Sequence, residues 1–155
     1  VADSRRELLV QQVANVLGAM SQAAGYENDY PGGVSRFQRE GTALNNPPTV
    51  VVSLIQDVKD NRSEHIITGT AEIAVEVFAV DAGDLGESTG AYLDSLAQDV
   101  EKAIGSDSTM GGYATHCYVE TVRPFGLIDG LPYVGVNVKV MAEYRHARGA
   151  PETGA

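Results

Sequence analysis

Few residues in this sequence have the types and spacing from which a catalytic or metal site could be built. The three histidines, His65, His116 and His146, and the single cysteine, Cys117, offer imidazole bases and a thiol. A Cys–His pair needs closeness in space and not in sequence. His116 and Cys117 are adjacent, however, and neighbours on a strand point to opposite faces, so the two do not pair with each other. Cys117 reads as a small core residue, and His65 and His146 fall at the edges of elements, where imidazoles are usually solvated. Asp81, Asp84 and Glu87 in DAGDLGE carry oxygens suited to a hard cation. Their spacing lacks the alternating ligands and closing glutamate of an EF-hand, and an acidic entry turn stabilised by a helix dipole explains them better. Asp94, Asp99 and Glu101 offer a pair of carboxylates, but they recur on the polar side of an amphipathic pattern and read as solvated charges. Gly111–Gly112 matches neither a phosphate loop nor a dinucleotide fingerprint, and no glycine-flanked serine elbow occurs. The expectation is therefore no enzyme, no cofactor and no bound metal.

Composition narrows the classes further. The chain has 155 residues, 43% of them hydrophobic and 21% charged, which suits one ordinary globular domain. A domain of that size buries about 70% of the surface its unfolded chain exposes and needs no disulfide or metal to hold a core. A lone cysteine cannot form an internal disulfide, and a reducing compartment is the simpler setting. No apolar run approaches the length that spans a bilayer, and the opening residues do not read as a secretory leader. Eleven Lys and Arg against 21 Asp and Glu give a net charge of −10. That balance lacks the basic footprint with which proteins grip nucleic acid through phosphates. An acidic surface serves solubility, and it also repels DNA that must slide past without sticking.

The elements that would position these residues are readable from periodicity. Ser4 followed by Glu7 has capping-box spacing, and Leu9, Val13, Val16, Leu17, Met20 and Ala24 recur at three and four, predicting a helix over 4–24 that stops at Gly25. YENDYPGG is a turn, Val34–Gln38 a short strand, and Asn45–Pro48 another turn. The β-branched stretch Thr49–Ile55 predicts a buried strand, and the polar stretch Asp57–Glu64 a projecting loop. Ile66–Val80 predicts a long strand whose odd positions are small or apolar and whose even positions are polar in the middle. A second helix runs from Ser88 or Thr89 to Ile104, with Leu93, Leu96, Val100 and Ile104 on one face and Gly105 closing it. Tyr113–Val122 and Tyr133–Tyr144 alternate as strands on either side of a connection, Pro124–Pro132. The expected fold is α+β: a mixed, mainly antiparallel sheet of four to five strands with two main helices packed on it. The polar end from Arg145 reads as mobile, so a single domain is drawn at 1–146 and a flexible C-terminal tail at 147–155.

The order of these segments carries a resemblance. The opening helix ending in GYENDY, the strand VSRFQRE, PTVVVSLI, the long strand ending VEVFAV, the helix LDSLAQDVEKAI leading into SDSTMGG, then ATHCYVETV and VGVNVKVMAEYR together span residues 5–146. As a whole the sequence resembles the minor tail or tail-terminator proteins of long-tailed bacteriophages and related gene-transfer particles. The resemblance implies a hexameric ring at the head-proximal end of the tail tube that stops tube polymerisation, contacts the tube protein and presents a surface to the head connector or stopper. DNA passes through such a ring without specific binding. The location implied is the virion's head–tail junction, after assembly in the bacterial cytoplasm.

A head-to-tail ring requires two different, complementary surfaces on each subunit. Phe78 and Val80 at the end of the long strand are candidates for one, and Val34 and Phe37, or Phe125 and Leu127, for the other; packing within their own subunit explains these residues equally well. Acidic residues expected to line the bore or a rim are Asp57, Asp60 and Glu64, and Asp81 and Asp84. The competing readings are another neck or tail component, such as a head-completion protein or tube subunit, a small enzyme using Cys117 or the acidic turn, and a monomeric acidic binding module.

Overall fold

A computed structural model describes residues 2–36, 47–61, 63–80, 87–126 and 133–154. Helix α1 spans Arg5–Gly18. Ser4 is extended, and its Oγ accepts the Glu7 amide at 3.1 Å, the first half of the expected box. The Glu7 carboxylate is used elsewhere, accepting from Arg36 at 3.0 Å and from Gln11 at 3.3 Å. The single helix expected over 4–24 is divided. Ser21 offers its own side-chain oxygen to the Ala24 amide and starts a separate 3-10 turn, Gln22–Ala24, which Gly25 closes at φ 95°. A serine that can cap locally competes with continuation of the helix. Helix α2 spans Glu87–Ser106, passing the expected stop at Gly105. The left-handed run Met110, Gly111 and Gly112, with φ of 46°, 66° and 88°, turns the chain behind it.

The strands are β1 (Val34–Arg36), β2 (Thr49–Asp60), β3 (Ile66–Val80), β4 (His116–Phe125) and β5 (Tyr133–Ala147). They form one five-stranded sheet in the order β1-β2-β3-β5-β4, antiparallel throughout except for β1 on β2. The α+β expectation is met. Both helices lie on one face: α1 over the β1–β2 side, reaching β5, and α2 over β4 and β5. Between them and the sheet lies the core, with Leu9, Val13 and Leu17 of α1, Leu96, Val100 and Ile104 of α2, and the odd positions of β3 with the even positions of β5. Ile73, Val75 and Val77 stand opposite Val140, Val138 and Val136, so their β-branched side chains form continuous inward ladders. β3 has the bounds its alternation predicts.

Two bulges change which residues face inward. In β2, Leu54 stands opposite Ile73 and Gln56 opposite Glu72, so Ile55 is an extra residue. In β4, Val119 stands opposite Val140 and Thr121 opposite Lys139, so Glu120 is extra. Because side chains alternate with period two, one inserted residue exchanges the faces of everything beyond it. Strict alternation puts Thr121 with Cys117 and Val119; in the structure Val122 and Pro124 continue that inner face and Thr121, Arg123 and Phe125 turn outward. Pro124 and Phe125, expected in a connection, close β4.

Several other expectations are corrected. Asp57–Asp60, expected in a projecting loop, belong to β2, which pairs with β3 as far as Asp60 opposite Thr68. β5 continues to Ala147, three residues beyond its predicted end. The segment expected as a free tail is folded back: the Ala147 amide donates to Thr153 O at 3.0 Å and the Arg5 amide to Pro151 O at 2.8 Å. The Arg148 guanidinium reaches the carbonyls of Asn61, Ser63 and Glu64. No helix among the described residues is long and apolar enough to cross a membrane.

Candidate functional site

The sheet face opposite the helices carries the candidate interface residues. Phe78 and Phe125 stand on it, each opposite Gly135, and their rings meet edge to face at 5.5 Å between centroids. Gly135 makes this contact possible: a Cβ there would lie 2.1 Å from Val77 O and 2.5 Å from Phe125 Cζ. Val80, at the end of β3, is 49% exposed. Val34 does not join them; it packs half-buried against the core between α1 and the sheet. Phe37 and Leu127 lie outside the described residues. Phe78 and Phe125, expected on two complementary surfaces, thus pack on each other within one chain at one end of the outer face, with Val80 beside them and Val34 facing the interior.

Towards the middle of that face, a groove of about 340 Å³ is lined by Ile55, Glu72, Ala74, Glu76, Thr121, Arg123, Asn137 and Lys139. Lys139 bridges Glu72 at 2.9 Å and Glu120 at 3.3 Å. Glu76 is half-buried and has no hydrogen-bond or ion-pair partner among the described residues, and burial raises its carboxyl above the usual range. Ile55 and Val58, on β2, are 57% and 59% exposed. The face thus mixes apolar side chains, saturated charges and unsaturated ones.

The acidic residues expected along a bore are distributed differently. Glu64 is exposed in the turn between β2 and β3, and Asp60 is half-exposed on the outer face. Asp81 and Asp84 lie outside the described residues. Asp57 is corrected: the bulge at Ile55 turns it and Lys59 to the helix side, where its side chain is only 5% exposed. Asp57 Oδ2 accepts from Arg6 of α1 at 3.1 Å, from Lys59 at 2.9 Å and from the Tyr144 hydroxyl. Lys59 Nζ also donates to Tyr144 and lies 3.1 Å from His146 Nε2. His146 Nδ1, 2.9 Å from Ala147 O, faces an acceptor and so carries the hydrogen, leaving Nε2 to accept from Lys59. Gly69 leaves room for the Tyr144 ring, which a Cβ there would meet at 2.4 Å.

Burial by itself pushes the Asp57 carboxyl up; hydrogen bonds from Tyr144, Lys59 and Arg6 outweigh it and hold the group below the usual carboxylate range. Burial, then the same hydrogen bond and charge, raise the Tyr144 phenol far above its ordinary value. The cluster has the residue types of acid–base chemistry. Its ammonium has three hydrogens and three partners, however, and the grooves described on this surface are lined by other residues. It braces the start of α1 against the end of the sheet. His146 is accordingly buried at 7% exposure and not solvated, because β5 extends past it.

Of the remaining chemical candidates, Asp99 and Cys117 are buried. Asp99, expected on a solvated helix face, is 1% exposed. Its carboxylate accepts from the amides of Glu27 and Asn28 at 2.8 and 3.0 Å, from Asn28 Nδ2 at 3.1 Å and from the Tyr30 hydroxyl at 2.8 Å. Asp94 and Glu101 are exposed, as expected. His65 is exposed, and His116 stacks on Tyr118 at 5.1 Å while its neighbour Cys117 enters the core. Burial, reinforced by the charge of Asp107, pushes the Cys117 thiol up to about 12. Since the thiolate is the reactive form, Cys117 in the folded protein is expected to label with a disulfide reagent far more slowly than in urea. Equal rates in the two states would contradict this burial. Among the described residues no group of His, Cys, Asp and Glu is placed to hold a metal ion. In comparisons with known proteins, no family model and no curated sequence matches this chain.

Proposed function

We propose that the chain is a structural virion protein: a tail terminator of a long-tailed bacteriophage or related gene-transfer particle, without catalytic activity. In this reading copies form a ring, hexameric by the resemblance, on the head-proximal end of the tail tube. The ring ends tube growth, joins the head connector and lets DNA pass. The observation that carries the proposal is the outer face of the sheet, which neither helix covers. Both helices cover the opposite face, while this one presents Ile55, Val58 and Val80 to solvent beside charges that lack partners. Exposed apolar side chains on that face are area that a covering chain would remove from water. Asp99, whose two oxygens are both engaged in binding a neighbouring loop, supports a role residing in interfaces. Net charge adds to this, since −10 per subunit repels a passing phosphate backbone. Asp60 and Glu64 remain the described candidates for an acidic rim.

Electron microscopy of the purified chain, alone and mixed with terminator-free tail tubes, tests this reading. The expected result is closed rings and tubes capped at one end. Indefinite stacking would identify a tube subunit instead, and tubes left uncapped would overturn the assignment.

A further inference from the structure

We infer that the groove on the outer sheet face is the contact between copies of this chain, with Arg123 of one copy paired in trans to Glu76 of another. The inference rests on the self-assembling reading above and names the contact it requires. Glu76 sits on the central strand β3, half-buried between Val51 and Asn137, and burial of a carboxylate without a cation is unfavourable. The other cation of the groove, Lys139, is already held by Glu72 and Glu120. Arg123 on the edge strand β4 lines the same groove, is exposed, and has no ion-pair partner among the described residues. Register puts Arg123 opposite Asn137 and Asn137 opposite Glu76. The two unpaired charges are therefore two strands apart, about 10 Å between backbones at the usual strand spacing.

A single copy thus presents one unmet acid and one unmet base on the same face. A second copy of the chain carries the complement of both, so the Arg123 edge of one copy can meet the Glu76 strand of the next in the head-to-tail sense that a ring requires. Ile55, exposed at the groove's rim, supplies the apolar area that such a contact would remove from water. Opposite charges across the contact also fix its register and exclude other alignments.

The test is a charge swap read by native mass spectrometry and sedimentation of the full chain. Glu76→Arg alone and Arg123→Glu alone each put like charges across the contact, and each is expected to be monomeric at concentrations where the original chain associates. Mixing the two variants is expected to restore association, because every contact in an alternating assembly then pairs opposite charges. A salt bridge closed within one copy cannot give this rescue. Glu76→Gln, which removes the charge without adding repulsion, is expected to weaken association about tenfold or more. Thermal melts of each variant establish that it folds. Where the original chain is monomeric in solution, the same variants and mixture are scored by capping of tail tubes. Variants that associate or cap like the original overturn this contact and leave the ring reading standing. An original chain that neither associates nor caps removes both.

Discussion

Replacing Asp57 with alanine is expected to destabilise the fold by about 3 kcal/mol, a fall in melting temperature of roughly 6–12 °C for a domain of this size. The carboxylate is the common acceptor for Arg6, Lys59 and Tyr144. Its loss leaves an ammonium and a phenol on the inner face of the sheet without their anion, and removing one member of such a cluster costs more than the cluster contributes. Arg6 is two-fifths exposed and recovers water, so most of the effect falls on Lys59 and Tyr144. The double variant Asp57→Ala/Lys59→Met is expected to regain part of the loss, since it also removes the unpaired charge. The pH dependence has a defined sign. Asp57 is held below its ordinary pKa, so its stabilisation is present above about pH 4, the unfolded value, and is lost as pH falls through the folded one. Urea denaturation from pH 7 to pH 2 should show the gap between the original and Asp57→Ala proteins shrinking with acid. A constant gap would mean that the carboxylate is not the stabilising species.

Asp99→Ala is expected to cost about 3–4 kcal/mol and to release the loop around Glu27–Tyr30 from α2. Four hydrogen bonds converge on this buried carboxylate, two of them from backbone amides that have no other acceptor shown in the structure. Amide hydrogen exchange at Glu27 and Asn28 checks the local effect and should accelerate far more than exchange in β3. Burial first, and then the neighbouring Asp99, raise the Tyr30 phenol above its ordinary range. In the variant, Tyr30 should ionise at lower pH on alkaline titration. Unchanged exchange at Glu27 and Asn28 would show that the loop is held by other contacts.

The sequence discloses the fold where periodicity runs unbroken. β3 alternates over its whole length and its bounds are legible, and the apolar stripe of α2 marks its buried face. Where a single residue interrupts the period, the reading fails. Asp57 and Lys59 look like loop residues because their polarity follows an apolar run, and only pairing with β3 and Tyr144 explains an inward charge. Asp99 fails for another reason: a buried carboxylate on a polar helix face requires donors from a distant turn, and spacing within the helix does not contain them. The GYENDY segment, with its Asn28 and Tyr30, was the available hint. Of the interface candidates, Phe78 and Phe125 meet because Gly135 separates them, a contact between residues 47 apart in sequence order that no local pattern expresses. Val34 illustrates the converse, an apolar residue explained fully by its own core.

The extra residue in β2 acts like a shift of reading frame in a two-letter code. Up to Leu54 the strand spells core on one side; from Gln56 onward the same alternation spells the opposite. Substitution at Ile55 changes one letter, exposed and tolerant. Its deletion would close the bulge with Leu54 still opposite Ile73 and Gln56 still opposite Glu72, whereas drawing Ile55 into the ladder would send Gln56 and Val58 towards the helices and Asp57 and Lys59 towards solvent. One residue held out of the ladder thereby joins the brace at α1 to the outer face, and the register of β2, more than its composition, keeps the two sides distinct.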